Sequence, residues 1–184
     1  ASVPTVVLNQ APVLMLNRVL EPMLCTALVN HWQQGNKLVD GVASIVGANR
    51  ADADIKRRAD VPLDDKQLLV LVRDCLVRRL IPAILQPFHS RIVQIEMPRI
   101  GCYDVSSGGW LRRHRDNTTP YTAHRQFAFS LNLNADTEYD GGQVRFPEFG
   151  RQLYRPAAGG AMVFSCSLLH EAMPVTRGRR FGLF

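Results

Sequence analysis

The change of period near residue 91 constrains this chain more than any other feature. Before it, apolar residues recur every three or four positions; after it, short alternating or β-branched runs are cut by Gly, Pro, Asn and Asp at intervals of roughly ten residues. In the front half, Glu21-Pro22 opens a run in which Met23, Leu24, Ala27, Leu28 and Trp32 share one face. Pro22 suits a first helical turn and Gly35 a stop. A short strand is predicted just before, at residues 12–16. Asp64-Asp65-Lys66-Gln67 reads as a capping box, and Leu68, Val72, Cys75, Leu76, Leu80, Ile84 and Phe88 continue a helical stripe that Pro82 and Pro87 should bend or end. Residues 49–60, with Arg50, Lys56, Arg57 and Arg58 among aspartates, read as a solvated loop or short helix.

In the back half, strands are predicted at 92–96, 100–104, 110–113, 127–133, 143–147, 152–155, 161–164, 171–175 and 180–184. Many short strands with no helices between them require a sandwich or barrel, so the fold class is α+β with a β core. No repeat, low-complexity tract or linker interrupts the chain. A single domain over residues 1–184 is expected, with 1–90 mainly helical support and 91–184 the core.

Composition narrows the function classes. A hydrophobic fraction of 46% and a charged fraction of 21% in 184 residues exclude a disordered, collagen-like or coiled-coil chain and suffice for one core. The apolar runs fall short of a bilayer span and no basic-then-apolar leader precedes Ala1, so a soluble protein with no membrane partner is expected. The net charge of +6 would draw anions without requiring nucleic acid. Cys25, Cys75, Cys102 and Cys166 form no C-x-x-C pair, which argues against a zinc ribbon or a disulfide framework and for a cytoplasmic location.

Chemistry enters at Gly108-Gly109-Trp110-Leu111-Arg112-Arg113-His114-Arg115-Asp116-Asn117. In a strand, residues two apart face the same side, so His114 and Asp116 can reach one ion. His170 follows 54 residues after Asp116, behind the apolar run Ala161-Met162-Val163-Phe164. Two imidazoles and one carboxylate on one face of a metal leave three positions open, the arrangement of non-haem Fe(II) oxygenases, whose oxygen and bidentate co-substrate need those vacancies. Downstream come Leu133-Asn134, Gly141-Gly142, Phe146-Pro147, Pro156, Gly159-Gly160, Phe164-Ser165, His170-Glu171, Pro174-Val175-Thr176 and Gly178-Arg179-Arg180, in that order.

In these elements the chain, from about Ile100 onward, resembles the Fe(II)/2-oxoglutarate-dependent dioxygenases, and within them the prolyl 4-hydroxylase-like group. The resemblance implies a double-stranded β-helix, or jelly-roll, buttressed by the N-terminal helices. It makes His114, Asp116 and His170 the iron ligands and puts Arg180 against the far carboxylate of 2-oxoglutarate. Tyr103 falls on a tyrosine that can hydrogen-bond the co-substrate. Asn132 stands where several relatives carry a co-substrate-binding tyrosine, and Arg179 leaves the register of Arg180 open by one residue. The implied cofactors are Fe(II), 2-oxoglutarate and O2, with ascorbate as an optional reductant, and the implied products are succinate and CO2. Phe184 falls inside what the resemblance makes the last core strand, so a further C-terminal stretch is expected.

Other residues have plainer readings. Gly141-Gly142 is a hairpin turn without a catalytic role, His31 and His89 are solvent-facing residues near helix ends, and the cysteines are buried small hydrophobes. His124, between the first ligands and the next strand, could touch substrate. Substrate choice is expected from loops 49–62, 104–109 and 117–124; the first and third are rich in Arg, Asp, Asn and Thr, which suits a peptidyl proline, another protein side chain or a free amino acid. Strand alternation turns Arg113 and Arg115 away from His114 and leaves Arg112 on the ligand side, at the pocket mouth, where it would favour an acidic or carboxylate-bearing substrate. An AlkB-type nucleic-acid demethylase also uses H-x-D and a distant His, and Arg112, Arg113, Arg115 and Arg125 would suit phosphates. No aromatic-rich basic strip for stacking bases accompanies them, so a small-molecule, protein or peptide substrate is the reading taken over nucleic acid. A non-catalytic jelly-roll binding module is the remaining alternative.

Overall fold

The computed structural model describes residues 9–38, 42–43, 49–50 and 56–184. In chain order its elements are β1 (Leu14–Leu16), α1 (Pro22–Gln34), β2 (Val42–Ala43), β3 (Asn49–Arg50), β4 (Ala59–Pro62), α2 (Lys66–Cys75), α3 (Ile81–Phe88), β5 (Arg99–Asp104), β6 (Leu111–His114), β7 (Phe127–Asn132), β8 (Tyr139–Gly141), β9 (Val144–Arg145), β10 (Leu153–Tyr154), β11 (Ala161–Ser165), β12 (His170–Ala172) and β13 (Val175–Leu183).

Helix α1 begins at Pro22, whose ring fixes a helical φ and whose missing N–H would have no partner in a first turn. Its buried residues, Cys25, Leu28 and Trp32, follow the spacing of three and four. Asp65 caps α2: its Oδ1 accepts from the backbone N–H groups of Gln67 and Leu68, both at 2.9 Å. Pro82 does not end the run. The helix widens to a π turn over Leu76–Leu80 and then continues as α3, the wider turn easing the proline's conflict with the preceding turn. The run stops after Pro87, with His89 in the left-handed region at φ 47°.

Two sheets form the β core. The larger runs β1-β11-β7-β13-β5-β4 with β8 paired to β13, and the smaller runs β10-β9-β12-β6; all these pairings are antiparallel. Alternation along β11 explains how one strand serves two cores. Ala161 and Val163 belong to the cluster that α1 and α2 complete with Leu28, Trp32 and Val72, whereas Met162 and Phe164 join Val144 and Phe146 from the smaller sheet. The same parity governs β13. Phe181 and Leu183 face the helices, with the Trp32 and Phe181 rings edge to face at 5.1 Å, so Arg180 points the other way.

Several expectations need correction. Residues 92–96 form no strand: 91–97 run along the cavity without a ladder. Gly141-Gly142, expected as a hairpin turn, has positive φ at both residues, but Gly141 still ends strand β8, which pairs with β13 rather than with β9. Of the loop expected over 49–60, residues 51–55 lie outside the described residues; its C-terminal end is instead strand β4, paired with β5. His31 is not turned to solvent, since its Nε2 lies 3.1 Å from the carbonyl of Pro62 and ties α1 to β4. Among the described residues no helix is long and apolar enough to cross a membrane.

Candidate active site

Strands β6 and β12 pair with His114 opposite His170, which brings the two imidazole centroids within 4.3 Å. Asp116 follows β6, its backbone N–H held by the carbonyl of Cys166 at 3.0 Å. One ligand atom from each of His114, Asp116 and His170 lies within 4.8 Å of the other two. The tautomers follow from simple accounting. Nδ1 of His114 faces the carbonyl of Arg112 at 2.8 Å and Nδ1 of His170 faces that of Leu168 at 3.0 Å; carbonyls only accept, so both Nδ1 atoms carry the proton. In the neutral rings each Nε2 then offers a lone pair, and the Asp116 oxygens stand 3.3 and 3.7 Å away. Three electron-pair donors facing one point make a site for a cation, and an iron ion fits this donor set.

Electrostatics agree with the geometry. Burial, with His114 beside it, pushes His170 down to about 4. Burial alone would raise Asp116, but the two histidines outweigh it and hold the carboxyl below its ordinary value.

The triad opens into a cavity of about 890 Å³ that Tyr103, Ser130, Phe164 and Arg180 also line. Arg180 is 1% exposed. Its Nε donates to Asn132 Oδ1 at 3.0 Å, Nη1 to the carbonyl of Gly142 at 2.7 Å and Nη2 to Ser130 Oγ at 2.9 Å. None of these partners is charged, and among the described residues no carboxylate meets the guanidinium. Burial accordingly pulls Arg180 below the ordinary arginine value, despite the Tyr103 and Tyr139 hydroxyls. Gly142 matters here: at φ 69°, a Cβ would stand 2.8 Å from Arg180 Cδ. Arg179, on the opposite parity, is exposed and stacks near Phe181.

Two expected cofactor or substrate residues sit elsewhere. Asn132 is behind Arg180 rather than in the cavity: its Nδ2 donates to Tyr139 Oη and to the carbonyl of Pro156, and its Oδ1 accepts from Arg180. Arg112 is exposed, stacks near Trp110 at 5.1 Å and does not line the cavity. The cause is a bulge. His170 opposes His114 while Ala172 opposes Leu111, so the ladder slips over Arg112 and Arg113, and Leu111 rather than Arg112 shares the cavity side with His114. Arg115, expected to face away, does line the cavity and bonds to Glu148 and to the carbonyl of Ser167. His124 lies along the cavity wall, 3.3 Å from Glu96.

The residues that were missed are Lys56, Arg58 and Asp60, all taken for a solvated segment. Asp60 is fully buried, with Arg58 forked onto it at 2.6 and 2.9 Å and Lys56 Nζ 2.6 Å from Oδ2. Burial would raise Asp60, but the two cations hold it below the usual carboxylate range. Arg58 Nη1 donates to Tyr103 Oη at 3.2 Å, and its guanidinium lies 4.1 Å from the Phe184 ring centroid. Gly101 makes room for this cluster, since a Cβ there would stand 2.7 Å from Arg58 Cδ. One signal was available: cation, cation and carboxylate at positions two apart read as one face of a strand.

A jelly-roll whose mouth holds two imidazoles and a carboxylate, with a guanidinium buried in the same cavity, offers donors for a metal ion and a buried positive charge for an anion. Residues 99–184 match the family model of the 2OG-Fe(II) oxygenase superfamily. Among curated relatives, a PKHD-type hydroxylase of Delftia acidovorans is 29% identical over 160 residues, covering 83% of this chain and 66% of the relative. Another, of Synechococcus sp., is 33% identical over 87 residues, covering 45% of this chain and 38% of the relative. The chain thus spans less than two thirds of these relatives' length. A prolyl hydroxylase of Trichoplax adhaerens, solved in complex with a hypoxia inducible factor oxygen degradation domain peptide fragment, superposes with a TM-score of 0.68 at 18% identity, over 95% of this chain and 82% of that one. At that identity the likeness speaks to the fold. Residues 99–184 are thus similar to the 2OG-Fe(II) oxygenase superfamily, and the relatives that the chain matches over part of their length are PKHD-type hydroxylases.

Proposed function

We propose that this chain is an Fe(II)- and 2-oxoglutarate-dependent dioxygenase that hydroxylates a peptidyl prolyl or other amino-acid side chain. The observation that carries the reading is Arg180. A buried guanidinium without a carboxylate is costly, and a dicarboxylate co-substrate entering the cavity would supply the missing counter-ion. Of its five N–H groups, three are taken by protein oxygens, which leaves two for a carboxylate.

His114, Asp116 and His170 would hold the iron. When bound, Fe(II) and 2-oxoglutarate supply the O2 activation and oxidative decarboxylation that end in succinate, CO2 and a hydroxylated product. The chain's own work is positional. The two Nδ1–H bonds pin the imidazoles so that Nε2 points inward, and the low-lying Asp116 contributes a negative charge. Phe164, 4.6 Å from the His170 ring centroid, keeps water from that flank. Because Tyr103 Oη accepts from Arg58, its own proton is free to donate to a co-substrate carboxylate. The four unpaired cysteines support a reducing compartment such as the cytoplasm.

Protein loaded anaerobically with Fe(II) and 2-oxoglutarate should develop a weak visible charge-transfer band and, with O2 and a proline peptide, release succinate. If His114→Ala or Asp116→Ala protein keeps the band undiminished, the ligand assignment is wrong.

A further inference from the structure

We propose that Lys56, held beside Arg58 on Asp60, is a specificity-determining residue that receives a carboxylate carried by the substrate. The inference rests on the reading above, in which the co-substrate answers the charge of Arg180.

Lys56 and Arg58 line the cavity, Asp60 is buried against both, and among the described residues the three charges do not balance. Asp60 Oδ1 accepts from Arg58, and Oδ2 accepts from both Arg58 and Lys56, so one carboxylate serves two cations and one positive charge is left over. The surplus belongs to Lys56 more than to Arg58. Arg58 has both Asp60 oxygens, the Tyr103 hydroxyl and the face of Phe184. Lys56 has Asp60 Oδ2 alone among the described residues, although an ammonium carries three donors and this side chain is only 7% exposed. Burial, with Arg58 next to it, lowers the Lys56 pKa from its ordinary value.

Its position fits a role toward substrate. Lys56 bridges through its backbone to Leu111, on the strand that ends at His114, and both side chains line the same cavity as the triad. Much of the remaining wall is apolar, including Leu76, Ile84, Phe127 and Phe129. An occupant with one negative end and an otherwise uncharged body matches this surface. The single charge left over on the Lys56–Arg58–Asp60 cluster matches a carboxylate. The carboxylate could be an acidic side chain or a chain terminus.

Three proline peptides distinguish these sources: one with Glu after the proline and one with Gln there, both C-terminally amidated, and one with Gly there and a free C-terminal carboxylate. Their binding is measured by calorimetry to protein loaded with Fe(II) and 2-oxoglutarate without O2. At least one carboxylate peptide should bind tenfold or more tightly than the Gln peptide. Lys56→Gln should erase that preference, Lys56→Arg should restore it, and 2-oxoglutarate affinity should stay within twofold in both. Equal binding of all three peptides to the wild-type protein, or a preference that survives in Lys56→Gln, overturns the inference. Succinate release is scored separately: release without discrimination leaves the hydroxylase reading intact, and discrimination without release counts against that reading while the carboxylate site stands.

Discussion

Arg58 and Arg180 both lie against Tyr103, at 5.5 and 5.4 Å from its ring centroid, Arg180 buried and the Arg58 side chain 11% exposed, yet the chain treats them differently. Arg58 comes with Asp60 two residues further along the chain. Arg180 is given a carbonyl, an amide oxygen and a hydroxyl, and no charge. The pKa directions register the difference: burial lowers both, but Asp60 and the Tyr103 hydroxyl carry Arg58 above its ordinary value, while Arg180 stays below. A buried cation that brings its own anion completes the protein; one that lacks it is completed by a ligand.

The largest effect should come from removing the built-in anion. Asp60→Asn strands two cations and should cost about 3–5 kcal/mol, a drop of roughly 10 °C or more in Tm by calorimetry. Replacing Lys56, Arg58 and Asp60 together by Met, Met and Leu should recover much of that loss. If Asp60→Asn melts with the wild type, the contrast between the two arginines fails. The sign with pH follows. The folded Asp60 pKa lies below the ordinary 3.8, so its contribution is fully present above that value and is lost as pH falls through the folded pKa. Acid melts of wild type and Asp60→Asn should therefore converge as the pH falls below 3.8 and through the folded pKa.

Arg180→Met should act on binding more than on folding. Co-substrate affinity should fall at least tenfold, on the order of 2–5 kcal/mol, as read by calorimetry with 2-oxoglutarate, and Arg180→Lys should fall less. Its Tm should drop less than that of Asp60→Asn, because an uncompensated charge leaves the core together with its hydrogen bonds. A smaller effect is expected from Gly142→Ala. The positive φ and the crowding against Arg180 should cost about 1–3 kcal/mol of stability and weaken 2-oxoglutarate binding severalfold. Arg179→Ala should change either measurement least, within about 0.5 kcal/mol of stability. Should Arg179→Ala lose 2-oxoglutarate while Arg180→Met keeps it, the inward residue of β13 has been misjudged.

How legible each part was depends on how local its cause is. The α1 face, the Asp65 cap and the strand at 161–165 follow from spacing within a few residues, and they stand where spacing puts them. The strand predicted at 92–96 had the right composition and found no partner, because pairing is decided by neighbours distant in sequence. Arg112 was misread for the same reason. Alternation holds only while the ladder keeps its register, and the bulge opposite β12 has no local signature in Arg112-Arg113.

The sequence alone determined which donors exist and in what order: an imidazole and a carboxylate two apart, a distant histidine, and an arginine pair near the end of the chain. Residue chemistry and strand period are written locally, so they survive reading without coordinates. The tertiary structure decided that His114 and His170 face each other, that Arg180 rather than Arg179 turns inward, and that Lys56 and Arg58 line the cavity with Asp60 buried against them. Burial sets the meaning of a charge, and burial comes from strand pairing and packing between segments far apart in the chain.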